Sequence, residues 1–369
     1  MNAMTRRIVI GTAAVSIAVT MAACGKAGDD KGSSSSSTGS GSGSANKSIG
    51  LLLPENATTR YEKFDKPLIE AKIKELCADC NVQYANAAGD PAKQAQQVSS
   101  MIAKGVKVLI LDAQDSTGIK SSVQAAVDKG IKVVAYDRLA EGPISAYVSY
   151  DNEKIGELQG QALLDAMGPK ATPSANVVMI NGDPADPNAA MFKAGAHKVL
   201  DGKVKIAYEQ SGLWKDTVAA QKMSAAITQL GKANIAGVYS ANDGMAGGIA
   251  TALKGQGINP PLTGQDAELA GLQRILAGTQ TSTIYKPYKP EADATAEIAV
   301  DLVNGTDFKS VADTTAKQNG GAEIPAKLLP AFSVTKTNIA STVVKDGLYT
   351  KDQICTADFA AACAAAGIN

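Results

Sequence analysis

Histidine is nearly missing from this sequence: His197 is the only one in 369 residues. A multi-histidine metal centre is therefore excluded, and a Ser/His/Asp hydrolytic site has no spare imidazole to draw on, so the composition leans against hydrolysis. Aromatics are few, and Trp214 is the only tryptophan. No sign of charge prevails. The 36 Lys and Arg balance 36 Asp and Glu without a long basic run, so the electrostatic footprint of a nucleic-acid binder is absent. Also missing are a G-x-G-x-x-G loop after a strand and a G-x-x-x-x-G-K-[ST] phosphate loop; Gly244-Met245-Ala246-Gly247-Gly248 is glycine-rich but lacks either spacing. Neither a nucleotide cofactor nor any other cofactor or metal is expected.

What is present begins with length, which is enough for about two domains with their own cores. Arg6 and Arg7 precede an apolar stretch over residues 8–23, the charged-then-apolar plan of a secretory signal, too short for a membrane span. Its end, Met21-Ala22-Ala23-Cys24, resembles a bacterial lipobox, in which the cysteine sulfur receives diacylglycerol. Residues 1–23 are thus expected to be a lipoprotein signal peptide and Cys24 the lipidation site, with plain secretion as the alternative. Residues 24–47, rich in Ser and Gly, cannot bury apolar surface and should form a flexible tether. The protein is expected to be exported and anchored on the outer face of the cytoplasmic membrane.

An exported chain meets oxidising conditions, which bears on the other four cysteines. Cys77 and Cys80 form a C-x-x-C, and Cys355 and Cys363 lie eight apart. A zinc site or a redox dithiol is the alternative to structural disulfides. Cys77 follows the helical run 68–76, however, whereas a thioredoxin-like motif stands between a strand and a helix N-terminus. Two local disulfides, Cys77 with Cys80 and Cys355 with Cys363, are the favoured reading.

From Ser48 onward, short apolar runs alternate with amphipathic stretches. Strands are expected at 49–53, 82–85, 106–111, 132–136, 146–149, 177–180, 204–208, 236–239 and 282–285. Helices are expected at 61–76, 91–104, 118–129, 153–167, 188–200, 217–230, 244–256, 269–277 and 291–304. Gly105, Gly130, Gly168 and Gly305 stand where C-terminal caps belong. Repeated strand-helix alternation predicts an α/β fold of two Rossmann-like parallel-sheet domains.

Ligands of open α/β sheets sit beyond the carboxyl ends of the strands. Those positions hold Asp112, Asp137-Arg138, Asn181-Gly182-Asp183, Asn242-Asp243, Gln265-Asp266 and Lys286. Planar Asp, Asn and Arg groups can bridge adjacent sugar hydroxyls, which both donate and accept, and the apolar C–H faces of a sugar ring stack on aromatics such as Tyr61, Phe192 and Trp214. Each of these residues could equally be a helix cap or a core side chain.

Several segments carry a closer likeness: Arg60-Tyr61, Val133-Val134-Ala135-Tyr136-Asp137-Arg138, Asp151-Asn152-Glu153-Lys154-Ile155-Gly156-Glu157-Leu158-Gln159, the run from Asn188 to Gly195, Ala241-Asn242-Asp243, Gly264-Gln265-Asp266-Ala267-Glu268, and Ile284-Tyr285-Lys286-Pro287. With these, residues 48–348 resemble the substrate-binding proteins of bacterial sugar ABC transporters, of the type I periplasmic binding protein family and nearest its xylose-binding branch. The resemblance implies two lobes joined by a three-stranded hinge, at 48–150 with 287–322 and 151–286 with 323–369. It implies that Arg60, Asp137, Arg138, Asn188, Asn242, Asp266 and Lys286 hydrogen-bond a monosaccharide between Tyr61 and Trp214. D-xylose is the expected ligand, with D-glucose or several aldoses as the alternative, and a membrane permease is the expected partner of a monomeric, non-enzymatic receptor. A sensor that reports the sugar to a membrane receptor is the more distant reading.

Overall fold

A computed structural model describes residues 46–368 of the protein. The expected leader, Cys24 and nearly all of the expected tether lie outside the described residues. The first half of the chain forms β1 (Ser48–Leu53), α1 (Lys66–Leu76), β2 (Asn81–Asn86), α2 (Pro91–Ala103), β3 (Val108–Leu111), α3 (Lys120–Asp128), β4 (Lys132–Tyr136), β5 (Ala146–Tyr150) and α4 (Asn152–Met167). Then follow β6 (Asn176–Asn181), α5 (Pro187–Leu200), β7 (Lys205–Ser211), α6 (Asp216–Leu230), β8 (Ile235–Ser240), α7 (Asp243–Gly255), α8 (Leu269–Ala277) and β9 (Ser282–Tyr285). α9 (Tyr288–Asn304), β10 (Thr314–Lys317), β11 (Glu323–Leu329) and β12 (Phe332–Thr335) come next, before short terminal helices.

Seven strands make one sheet in the order β10-β11-β5-β4-β3-β1-β2, parallel except for the β10–β11 pair. β1 shows why its residues choose a strand. Ile49, Leu51 and Leu53 alternate with Leu52, placing three side chains against α1 and α9 and one against α2, so both faces are dry. A second sheet has the order β7-β6-β8, all parallel. Bridges through Leu262 and Thr263 lead from β8 to the antiparallel β9–β12 pair.

The chain passes between the two sheets after β5, after β9 and after β11. The third passage corrects the expected boundary at residue 322. β11 pairs in parallel with β5 from Ala326 to Leu329, so the first sheet keeps the chain until Pro330, and only β12 joins β9. Strands β10 to β12 had no counterpart in the sequence reading: β10 is Thr-Thr-Ala-Lys, mostly exposed, and β11 carries Pro325 just before its pairing with β5 begins.

Packing also fixes the second sheet's helices. α4 and α5 approach so closely that a Cβ on Gly156 would lie 2.0 Å from the carbonyl oxygen of Phe192, and one on Gly195 would lie 1.9 Å from that of Glu153. Only glycine permits this contact, which seats the start of α5 at the sheet edge. Cys77 is joined to Cys80 and Cys355 to Cys363; the first pair closes the turn after α1.

Candidate functional site

Where strands of both sheets end, side chains converge on one small cavity. Arg60, Tyr61, Asp137 and Arg138 line it from the first sheet. Asn188, Phe192, Trp214, Asn242 and Asp266 face them from the second, and Lys286 comes from the β9–α9 connection. The nine residues that the resemblance assigns to a sugar, together with Phe192, therefore border a single space. Thr58, Asp186 and Gln265 line it too. Gln265 was noted only as a strand-end residue, and Asp186 stands where a helix cap belongs, a position that carries no ligand signal of its own.

Arg60 organises the first wall. It is 2% exposed, and its Nε donates to Asp65 at 2.7 Å, its Nη1 to Asp137 at 2.8 Å, and its Nη2 to Glu291 at 2.5 Å and to Tyr136 at 3.2 Å. Its guanidinium also lies 4.7 Å from the ring centre of Tyr288. Three buried carboxyls thus share one cation. Burial pushes the Asp137 carboxyl up, but Arg60, Lys286 and Arg138 outweigh it and hold Asp137 below its ordinary value. Glu291 goes the other way: burial, opposed by Arg60 and reinforced by Asp137 and Asp65, pushes it up to about 8. Asp137 is consequently held ionised at the cavity, a charged acceptor for hydroxyl donors.

Asp137 has a left-handed backbone, φ 54°, directly after β4. Its carbonyl accepts from Ser149 Oγ at 2.7 Å, Tyr147 OH at 3.0 Å and Asn188 Nδ2 at 3.0 Å, which hold that uncommon conformation. Asn188 Oδ1 accepts from Asn152 Nδ2 at 2.9 Å, so this amide, expected to bind ligand, spends both ends on protein. Arg138 donates from Nη2 to Tyr61 OH at 3.0 Å, and its Nε lies 3.1 Å from Asp186.

The opposite wall is held by helix starts. Asn242 caps α7 by accepting from Met245 N at 2.9 Å, so capping and cavity lining coincide in one residue. Lys286 Nζ lies 2.8 Å from Asp266 Oδ1. Leu213 and Trp214 both have left-handed backbones, φ 55° and 57°, and Trp214 stands edge-on to Phe192 with ring centres 6.5 Å apart. Gly182 makes room for it: a Cβ there would lie 2.0 Å from the indole. Of the other strand-end residues, Asp112 sits behind Arg138, and Asn181 borders a separate surface groove with Lys193 and Glu209.

Residues 49–307 match the family model described as periplasmic binding protein domain. The chain belongs to the periplasmic binding protein family. Over 316 residues it is 40% identical to the D-xylose-binding periplasmic protein of Escherichia coli K12, covering 83% of this chain and 92% of that relative. It is 31% identical to the multiple sugar-binding periplasmic receptor ChvE of Rhizobium radiobacter, across 95% of this chain and 99% of the relative. Among solved structures, an ABC transporter solute-binding protein from Clostridium phytofermentans with bound β-D-glucose superposes with a TM-score of 0.76 at 26% identity, covering 84% of this chain and all of that one. The family places these proteins outside the cytoplasm, and the relatives are named for binding sugars rather than for converting them.

Proposed function

We propose that the protein is the extracytoplasmic substrate-binding component of an ABC sugar importer and that its cavity takes a neutral aldose, D-xylose first. One observation carries this reading: ionised and neutral planar groups of Asp137, Asn242 and Asp266 share a buried cavity with the rings of Tyr61, Phe192 and Trp214. Fixed acceptors match paired hydroxyls, and aromatic faces match the C–H faces of a pyranose. Three lining cations, Arg60, Arg138 and Lys286, stand against the lining carboxylates of Asp137, Asp186 and Asp266, leaving no unopposed charge for an anionic sugar.

Residues 48–150 with 287–329 form one lobe, and residues 151–286 with 332–368 form the other. The lobes close on the sugar about the three connecting segments and present the closed form to a membrane permease. Cys24 carries the lipid anchor, the Ser/Gly tether lets the domain reach the permease, and the receptor works as a monomer without converting its ligand. Equilibrium dialysis with radiolabelled D-xylose, followed by chromatography of the bound fraction, tests the reading. Saturable retention of unchanged xylose supports it; a chemically altered product would replace it with an enzymatic one.

A further inference from the structure

Arg138 stands between two buried carboxyls that belong to different sheets. Its Nε is 3.1 Å from Asp186 Oδ2, at the start of α5 on the second sheet, and 3.6 Å from Asp112 Oδ1, which follows β3 on the first. The rest of the guanidinium is held within the first sheet's side of the cavity. Nη2 donates to Tyr61 OH at 3.0 Å, and Nη1 to the carbonyl of Ala113 at 3.3 Å. Of these contacts of Arg138, that with Asp186 is the one that crosses the cavity.

Asp186 is fixed to its own helix. It caps α5 by accepting from Asn188 N at 2.9 Å, and so moves wherever α5 moves. Asp112 is different: it is fully buried and does not line the cavity, and neither its oxygens nor Arg138 Nε makes a hydrogen bond within the protein, so Nε meets both carboxyls through charge alone. Burial pushes its carboxyl well above the ordinary value, with Arg138 as the main opposing influence. A buried carboxyl without donors destabilises the state that contains it. Retaining one 3.6 Å from a guanidinium makes physical sense if another state brings the two together.

We infer that Arg138 exchanges carboxylates as the lobes move, leaving Asp186 for Asp112 on opening, and that this exchange sets the balance between open and closed protein. The inference rests on the two-lobe binding reading above. In the closed arrangement Asp186 is the nearer charge to Arg138 Nε, at 3.1 Å against 3.6 Å for Asp112. When α5 withdraws, Asp112 takes the charge with a shift of about half an ångström at Nε, the difference between the two present distances. Asp112 thereby stabilises the open form and acts as a positioning residue that never touches the sugar.

Small-angle scattering and calorimetry with D-xylose on the mature protein test this. Wild type should contract on adding xylose. Asp112→Asn should be more compact than wild type without xylose, bind it about threefold to tenfold more tightly as the closed fraction grows, and release it more slowly. Asp186→Asn should shift compaction and affinity the opposite way. Asp112→Ser serves the same purpose if the amide variant fails to fold. Wild-type contraction together with unchanged compaction and affinity in both Asp112 variants overturns the exchange, as does weaker binding in them. Absence of contraction in wild type overturns the two-lobe reading itself, and the exchange with it.

Discussion

Asn188 Nδ2 donates to the backbone carbonyl of Asp137 at 3.0 Å, tying the start of α5 to the end of β4 across the cavity. The same Asp137 places its carboxylate 2.8 Å from Arg60 Nη1, so one residue joins both walls, by backbone to one and by side chain to the other.

Asp137→Ala should weaken sugar binding by more than about 2 kcal/mol, because a lost charged acceptor leaves buried donors unsatisfied. Arg60 keeps Asp65 and Glu291 as partners, so the variant should stay folded. Calorimetry gives the affinity and circular dichroism the fold; unaltered affinity would remove Asp137 from the site.

Trp214 supplies an optical readout. Cognate sugar should change its emission saturably, and Trp214→Ala should weaken binding by about 1–3 kcal/mol through loss of an apolar platform. Gly182→Ala should weaken binding too, since the added carbon would lie 2.0 Å from the indole and must displace it. Emission that ignores the sugar, with a mutant that only loses thermal stability, would make Trp214 a core residue.

Glu291 predicts a pH dependence of stability. Its folded value of about 8 stands above its ordinary 4.5, so the folded protein holds a proton that the unfolded chain has released. Stability therefore falls as pH rises from the ordinary value through the folded one, by no more than about 1.4 kcal/mol per pH unit for one proton, and levels off above. The groups facing it are Arg60, Asp65, Asp137 and Lys286. Asp243 and Glu268, raised to about 7 and about 8, contribute slopes of the same sign. The test is thus the difference between wild type and Glu291→Gln in denaturant titrations from pH 5 to 9: the variant should show the shallower decline, and equal slopes would contradict the assignment.

Thiol labelling and membrane partition address the cysteines. Mature protein should show no free thiol at Cys77, Cys80, Cys355 or Cys363. Because these bridges close short loops, reduction should lower stability only modestly and leave sugar affinity nearly unchanged. Cys24→Ala should move the protein from the detergent phase to the aqueous phase, as each acyl CH₂ contributes about 0.8 kcal/mol of membrane affinity. Wild type already in the aqueous phase would exclude lipidation.

Legibility in the sequence followed the range of the interactions. Strand-helix alternation made β1 to β9 readable, and strand ends pointed to Asp137, Asn242 and Asp266, because periodicity and strand termination are local properties. Glu291 was legible only as the start of a helix: its partner Arg60 lies 231 residues away, and no local pattern announces that contact. Helix α9 in fact begins at Tyr288, which brings Glu291 into its buried first turn. The β10–β11 pair was hidden for a related reason, since its exposed polar strand and Pro325 imitate a loop until β5 provides a neighbour.

The most direct test is calorimetric titration of the soluble domain with D-xylose, run beside D-glucose, D-galactose, D-ribose and L-arabinose. The account predicts saturable one-to-one binding with D-xylose tightest, or failing that D-glucose, and loss of that signal in Asp137→Ala. No binding of any of the five to folded protein would contradict it.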